Sequence, residues 1–242
     1  WLVERAVGSA LNQTLRSDRF EVVVFDDASS SPETRRVLDG LEDGRVKLVR
    51  SHENLGLARA RNLALESVTA PFVVYLDGDD ALSRDALDKL LKAQEASEAD
   101  VVLSGWWVKE KGVVRYAPRH KKTSSQNERL RAAFRMKSSV GLPGNLIRVE
   151  LLSDLPQAVF QNLPHLDDIA VFPVVISRAV GIHVISEAVY LYDKDSSTIT
   201  SVFSLEAAVG CFLSLEANLA LNQEKQSWGI PDEEIYFGLS RF

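Results

Sequence analysis

The chain has 242 residues, 45% of them hydrophobic and 26% charged, with a formal charge of −6. A chain of this length buries roughly 70–75% of its unfolded surface, so it folds without disulfides or a structural metal, and so balanced a composition excludes wholesale disorder. The acidic balance argues against a nucleic-acid partner, the single cysteine, Cys211, excludes a disulfide framework and cysteine-based zinc sites, and no apolar run reaches 18 residues.

The chain opens at Trp1 directly in helical periodicity, with Leu2, Val3, Ala6, Ala10 and Leu11 on one stripe, and its one methionine is Met136. The true N-terminus, and with it the first strand of a sheet, is therefore expected to lie outside this sequence. No secretory leader is expected. Val22–Phe25 is a short β-branched run suited to a strand buried on both faces. Ser30, Ser31, Pro32 and Glu33 then open a helix, with a hydroxyl cap, proline in the first turn and an acid close behind. Residues 46–49 form a second strand, 56–67 a helix, and 72–76 a third buried strand. Ser83 starts the next helix, and Val101–Val108 is a fourth strand. Alternating strands and helices with continuous apolar strands predict an α/β fold with a mostly parallel central sheet covered on both faces. Ligands of such sheets bind at the carboxyl ends of the strands.

The second half is less regular. Residues 115–126 are polar and basic and predict a loop, and 127–136 predict a helix. Residues 163–181 predict a helix that Pro173 should kink. Residues 182–193 predict a strand pair or one long strand, and 204–222 an apolar-rich helix.

Carboxylates gather where strands end. The first run ends in Asp26 and Asp27, and the third in Asp77, Gly78, Asp79 and Asp80. In a parallel sheet these five acids share one edge, where they repel each other. A hard divalent cation with a diphosphate is the natural neutraliser, because Mg²⁺ and Mn²⁺ prefer carboxylate and phosphate oxygen. Turn and cap chemistry is the plainer alternative, since Asp and Gly are ordinary turn residues. Between the two clusters Arg61 stands one turn after Leu57, flanking the buried face of its helix. A half-buried guanidinium there needs an acidic or phosphate partner, and a solvated surface arginine is the alternative.

These residues reach a family. Asp26-Asp27-Ala28-Ser29, Asn54-Leu55-Gly56-Leu57-Ala58-Arg59-Ala60-Arg61-Asn62 and Asp77-Gly78-Asp79-Asp80 follow one another as the DD-x-S, N-x-G-x-x-x-A-R-N and D-x-D-D elements of the family 2 glycosyltransferases with the GT-A fold. The opening helix, with Ser9 to Gln13, is similar to the family's S-v-l-n-Q segment. The chain thus resembles that family over residues 1–95. The second half resembles it more loosely, through Gly144-Asn145-Leu146-Ile147, Asp167-Asp168 in place of the family's E-D, Tyr190-Leu191-Tyr192, and Ser197 to Thr200.

The resemblance implies a GT-A domain over 1–202, split into a nucleotide-sugar half (1–108) and an acceptor half (109–202), with a helical C-terminal extension over 203–242. It implies that Asp26 and Asp27 contact the nucleobase and that Arg61 lies near the base or diphosphate. Asn54, Gly56 and Gly78 line the nucleotide sugar, and Asp77 reaches the ribose. Asp79 holds a divalent metal, Mn²⁺ or Mg²⁺. Asp168, with Asp167 beside it, supplies the catalytic base of an inverting transfer from a nucleotide sugar, expected to be UDP-linked, to a glycan or lipid-linked acceptor. The expected setting is cytoplasmic, at the inner face of the plasma membrane, where 204–222 offers a contact for membrane or a second copy. Two other readings stand beside this one: a nucleotide-binding partner subunit that has lost activity, and a haloacid-dehalogenase-type phosphatase, whose strand also ends in D-x-D.

Overall fold

The structure is a computed structural model that describes residues 1–117, 141–153 and 167–195, together with Ser125 and Glu128, and for 167–169 the backbone alone. Helix α1 (Leu2–Leu11) buries Ala6, Val7 and Ala10 on the stripe expected from their spacing. Strand β1 (Val22–Asp26) leads to α2 (Pro32–Asp39), where the Ser31 hydroxyl accepts the Thr34 N–H at 3.2 Å and Pro32 occupies the first turn. Strand β2 (Val46–Arg50) pairs in parallel with β1, from Val22 opposite Val46 to Asp26 opposite Arg50. There follow α3 (Leu57–Leu65), β3 (Phe72–Val74), β4 (Ala81–Leu82), α4 (Ala86–Ser97), β5 (Val101–Glu110), β6 (Val113–Ala117), β7 (Leu146–Arg148), α5 (Asp167–Arg178) and β8 (Ile182–Asp193). The helices expected over 127–136 and 204–222 lie outside the described residues, and no helix among those described is long and apolar enough to cross a membrane.

The sheet is more mixed than strand–helix alternation predicts. Among the described residues only β1 with β2 and β5 with β8 run parallel; β3 with β7, β4 with β8, β5 with β6 and β5 with β7 are antiparallel. Parallel neighbours need long crossovers, whereas antiparallel ones can be joined by short turns. Strand β6 returns along β5 through a tight turn at Lys111 and Gly112, both at positive φ (51° and 73°), so residues 115–117, expected in a loop, belong to a strand. Residues 182–193 form one long strand. Helix α5 runs on through Pro173 without a break.

The strands fall into two sheets, a β1–β2 pair and a six-stranded sheet in the order β3-β7-β5-β8-β4 with β6 on the outside of β5. Strands β1 and β3 both line one apolar cavity of about 550 Å³, whose walls are completed by α1 and α3. Val22–Phe25 are consequently half-buried, not buried on both faces as their composition predicts. The cavity lies between the two sheets, and among the described residues neither β1 nor β3 has a second strand neighbour.

Two apolar clusters hold the larger sheet. One joins α5 to β5 and β7 through Phe172, Val175, Ile176, Val101 and Ile147, and the other packs α4 on β8 through Leu90, Val189 and Tyr190. Residues of the opening segment tie α1 to α4: the Ser9 hydroxyl accepts the Leu82 N–H at 3.0 Å, and the Gln13 amide bonds the Ser83 carbonyl (2.8 Å) and the Leu87 N–H (3.0 Å). Gly144 sits at φ +74° with space for no side chain, since a Cβ there would stand 2.7 Å from the Tyr190 Cβ and 3.1 Å from the Trp106 Nε1. Gly144→Ala is expected to cost about 2–5 kcal/mol, from backbone strain plus overpacking, read as a lowered urea midpoint with unchanged slope. A midpoint within error of the parent would show that the Tyr190 ring yields.

Candidate active site

Each acidic cluster sits at a strand end, but the charges there are already paired in part. Asp26 is buried. Its carboxylate accepts the Ser29 N–H at 2.9 Å and faces the Arg50 Nε at 3.3 Å. Asp27 accepts the backbone N–H groups of Leu55 (2.7 Å) and Gly56 (2.9 Å), which fastens the end of β1 to the start of α3. Gly56 stands at φ +82°, a conformation that favours glycine. Asn54, just before it, is exposed.

Arg61, on α3, is 9% exposed, and its guanidinium donates to Asp77 Oδ1 at 2.7 Å while lying 5.7 Å from the Tyr75 ring centroid. The acid partner that a half-buried guanidinium requires is therefore Asp77, at the end of the β3 segment. From there the chain makes a turn closed by the Asp80 N–H on the Asp77 carbonyl (3.1 Å), with Gly78 exposed at its tip. Burial, then the negative charge of Asp77, raises the Asp79 carboxyl above the ordinary carboxylate range. Arg5 of α1 donates to the Asp79 carbonyl and to Asp193 (2.6 Å), and Asp193 also meets Lys109 at 3.0 Å. Sequence reasoning assigned no role to Arg5 or Asp193; the available signal was a cation one turn before Ser9 in an otherwise apolar stripe.

Asp80 is 1% exposed, and burial pushes its carboxyl to about 7, against hydrogen bonds from the Tyr190 hydroxyl (2.5 Å) and the Asp193 N–H (2.8 Å). Burial also raises the Tyr190 hydroxyl well above its usual value, so it stays a donor. Asp80 holds its proton more tightly folded than unfolded, where the ordinary value is 3.8. Its contribution to stability is therefore greatest below that value, falls as pH rises, and is level again above about 7, a loss on the order of a few kcal/mol in metal-free protein. Asp80→Asn should flatten this stretch of the stability curve, measured by urea unfolding at intervals from pH 4 to 8 with EDTA present. An unaltered slope would assign the dependence to another group.

Asp77 and Asp79 offer hard oxygen donors at one turn, where burial and the charge of Asp77 raise the Asp79 carboxyl. That donor set suits Mg²⁺ or Mn²⁺. Among the described residues no group of three or more metal-binding side chains gathers, so phosphate oxygens and water would supply the remaining ligands.

In the second half of the chain, Asn145 is a buried lock: it accepts the Ser104 N–H at 3.0 Å and donates to the Gly141 carbonyl at 2.9 Å. Trp106 belongs to the core, packed on Tyr190 and Tyr192, whereas Trp107 is half exposed against Tyr116. Asp167 and Asp168 open α5, and their side chains lie outside the described residues, as do His120 and His165. His52 and His183 are exposed.

The model of the family described as "Glycosyl transferase family 2" matches residues 2–155, well over half of the chain. The chain belongs to glycosyl transferase family 2. That membership sets aside the phosphatase reading. Among its family 2 relatives, the poly(ribitol-phosphate) beta-N-acetylglucosaminyltransferase TarP of Staphylococcus aureus is 32% identical over 112 residues, which cover 46% of this chain and 34% of TarP. TuaG of Bacillus subtilis, a glycosyltransferase named for teichuronic acid biosynthesis, is 38% identical over 92 residues, covering 37% of this chain and 35% of TuaG. The chain spans about a third of the length of these two curated relatives. The crystal structure of S. aureus TarS 1-349 in complex with UDP-GlcNAc superposes with a TM-score of 0.74 at 20% identity, covering 99% of this chain and 67% of that one, which shows the GT-A fold.

Proposed function

We propose that this family 2 chain transfers a sugar from a UDP-sugar to a hydroxyl of a glycan or lipid-linked acceptor, with inversion at the anomeric carbon. The observation that carries the reading is the buried Arg61 paired with Asp77, two residues before Asp79, all in the family's motif positions. The UDP-GlcNAc complex of TarS and the glycan-building names of TarP and TuaG support it.

In this reading Asp77 binds the ribose and Arg61 lies against the base or diphosphate, while Asp26, Asn54, Gly56 and Gly78 line the remainder of the donor. Asp27 has two roles. Each carboxylate oxygen has a lone pair left after bonding Leu55 and Gly56, so it holds the loop and still accepts an N–H from the base. Mn²⁺ or Mg²⁺, held by Asp79 and the diphosphate, supplies Lewis-acid stabilisation of the leaving phosphate when bound. Asp168, in the first turn of α5, takes the proton of the attacking hydroxyl, with Asp167 beside it. Attack from the face opposite the leaving group inverts the sugar carbon in one step. The work is placed at the cytoplasmic face of the membrane, where activated sugars and lipid-linked acceptors meet.

A panel of UDP-sugars with Mn²⁺ tests this. Release of UDP from at least one donor is expected, slow with water alone and faster with an acceptor glycan. Protein that binds UDP yet releases none from any donor and acceptor would instead be the inactive partner subunit.

A further inference from the structure

Tyr190 comes from β8, between β5 and β4 in the larger sheet, and is fully buried. Its ring is held on two sides, by Trp106 with centroids 5.0 Å apart and by the side-chain-free face of Gly144. Its hydroxyl, fixed by that ring, meets the acidic turn at both ends: it accepts the Asp77 N–H at 3.3 Å and donates to the Asp80 carboxylate at 2.5 Å. The other Asp80 oxygen accepts the N–H of Asp193, three residues further along β8. One strand thus grips the turn at its first and last residues. The two residues that project between or from those grips, Asp77 and Asp79, are the ones given to the ribose and the metal.

We infer that Tyr190 is a positioning residue for donor binding, whose hydroxyl fixes the backbone of the Asp77–Asp80 turn and so the placement of the Asp77 and Asp79 carboxylates. The inference rests on the donor-site reading given above. Phenylalanine would fill the same space between Trp106 and Gly144, so packing alone does not call for the hydroxyl. Without it, the Asp77 N–H loses an acceptor and the buried Asp80 carboxylate loses a donor. A turn free to adopt other backbone angles spreads its carboxylates over several arrangements, only a fraction of which suit the donor, and apparent affinity falls by that fraction.

The test is Tyr190→Phe, with UDP binding measured by calorimetry in Mn²⁺ and in EDTA beside thermal unfolding. Affinity for UDP in Mn²⁺ should fall by about tenfold. The donor KM should rise in step, with kcat at saturating donor within about twofold of the parent. A tyrosine that serves stability alone would lower Tm while leaving the folded fraction's affinity for UDP unchanged, and that result overturns the inference. The Asp79→Asn and Asp79→Asn/Tyr190→Phe pair completes a cycle. In the Asp79→Asn background the tyrosine substitution should cost less than in the parent, because only the placement of Asp77 is then left to lose; a full, additive tenfold loss would also overturn the inference. If Asp79→Asn alone leaves metal-dependent UDP binding intact, the donor-site reading fails instead, and the two failures are thereby told apart.

Discussion

Turnover of the Asp168→Asn variant is expected to fall by about 10²–10⁴, the usual worth of a positioned general base, while affinity for UDP stays within about twofold. The separation follows from where the residues stand. The cluster proposed for the nucleotide is assembled from β1, α3 and the turn after β3, all before residue 81, whereas Asp168 opens α5 on the other side of the chain's polar middle. At the start of that helix a negative charge is favoured by about 0.3–1 kcal/mol. Asparagine preserves the shape and removes the basicity. Asp167→Asn should cost less, since side chains at neighbouring helix positions point about 100° apart and only one can face the acceptor. The measurement is kcat for both variants beside UDP titration. Parent-like turnover in Asp168→Asn would remove the assignment, and a larger loss at Asp167 would move the base by one residue.

Asp79→Asn should erase the dependence of UDP binding on metal. In the parent, UDP affinity in Mn²⁺ is expected to exceed that in excess EDTA by at least ~10–100-fold, the range over which changes around a metal site alter affinity. The reason is electrostatic. A diphosphate approaching Asp77 and Asp79 meets like charge at a site where burial and the charge of Asp77 already raise the Asp79 carboxyl. A cation reverses the sign of that encounter. With asparagine at 79 one negative charge is gone, so binding in EDTA should hold or improve slightly while the gain on adding Mn²⁺ disappears. Equal affinity in Mn²⁺ and EDTA for the parent would take the metal role from Asp79.

The sequence by itself determined the elements and the chemistry at their ends. Ser31 and Pro32 start α2 through bonds that span three residues, and the runs 22–25, 46–49 and 101–108 form strands because β-branched and apolar side chains suit a pleated, covered surface. The acids at 26–27 and 77–80 were legible because they end such runs, and Arg61 because its place beside a buried stripe called for an acid. The two-residue turn at Lys111 and Gly112 was also written locally, yet the polar composition after it masked β6.

Only the tertiary structure decided which acid meets which donor. Asp77 pairs with Arg61 sixteen residues away, Asp27 with backbone N–H groups 28 and 29 residues away, and Asp80 with Tyr190 at a separation of 110. It likewise decided that β5 and β8 lie side by side in parallel while their other neighbours run antiparallel. Local propensity reaches a few residues along the chain, set by backbone sterics and the next turn's hydrogen bonds. Which distant groups meet is fixed when apolar faces are buried together, and only then are the carboxylates' desolvation, their partners and their proton affinities set.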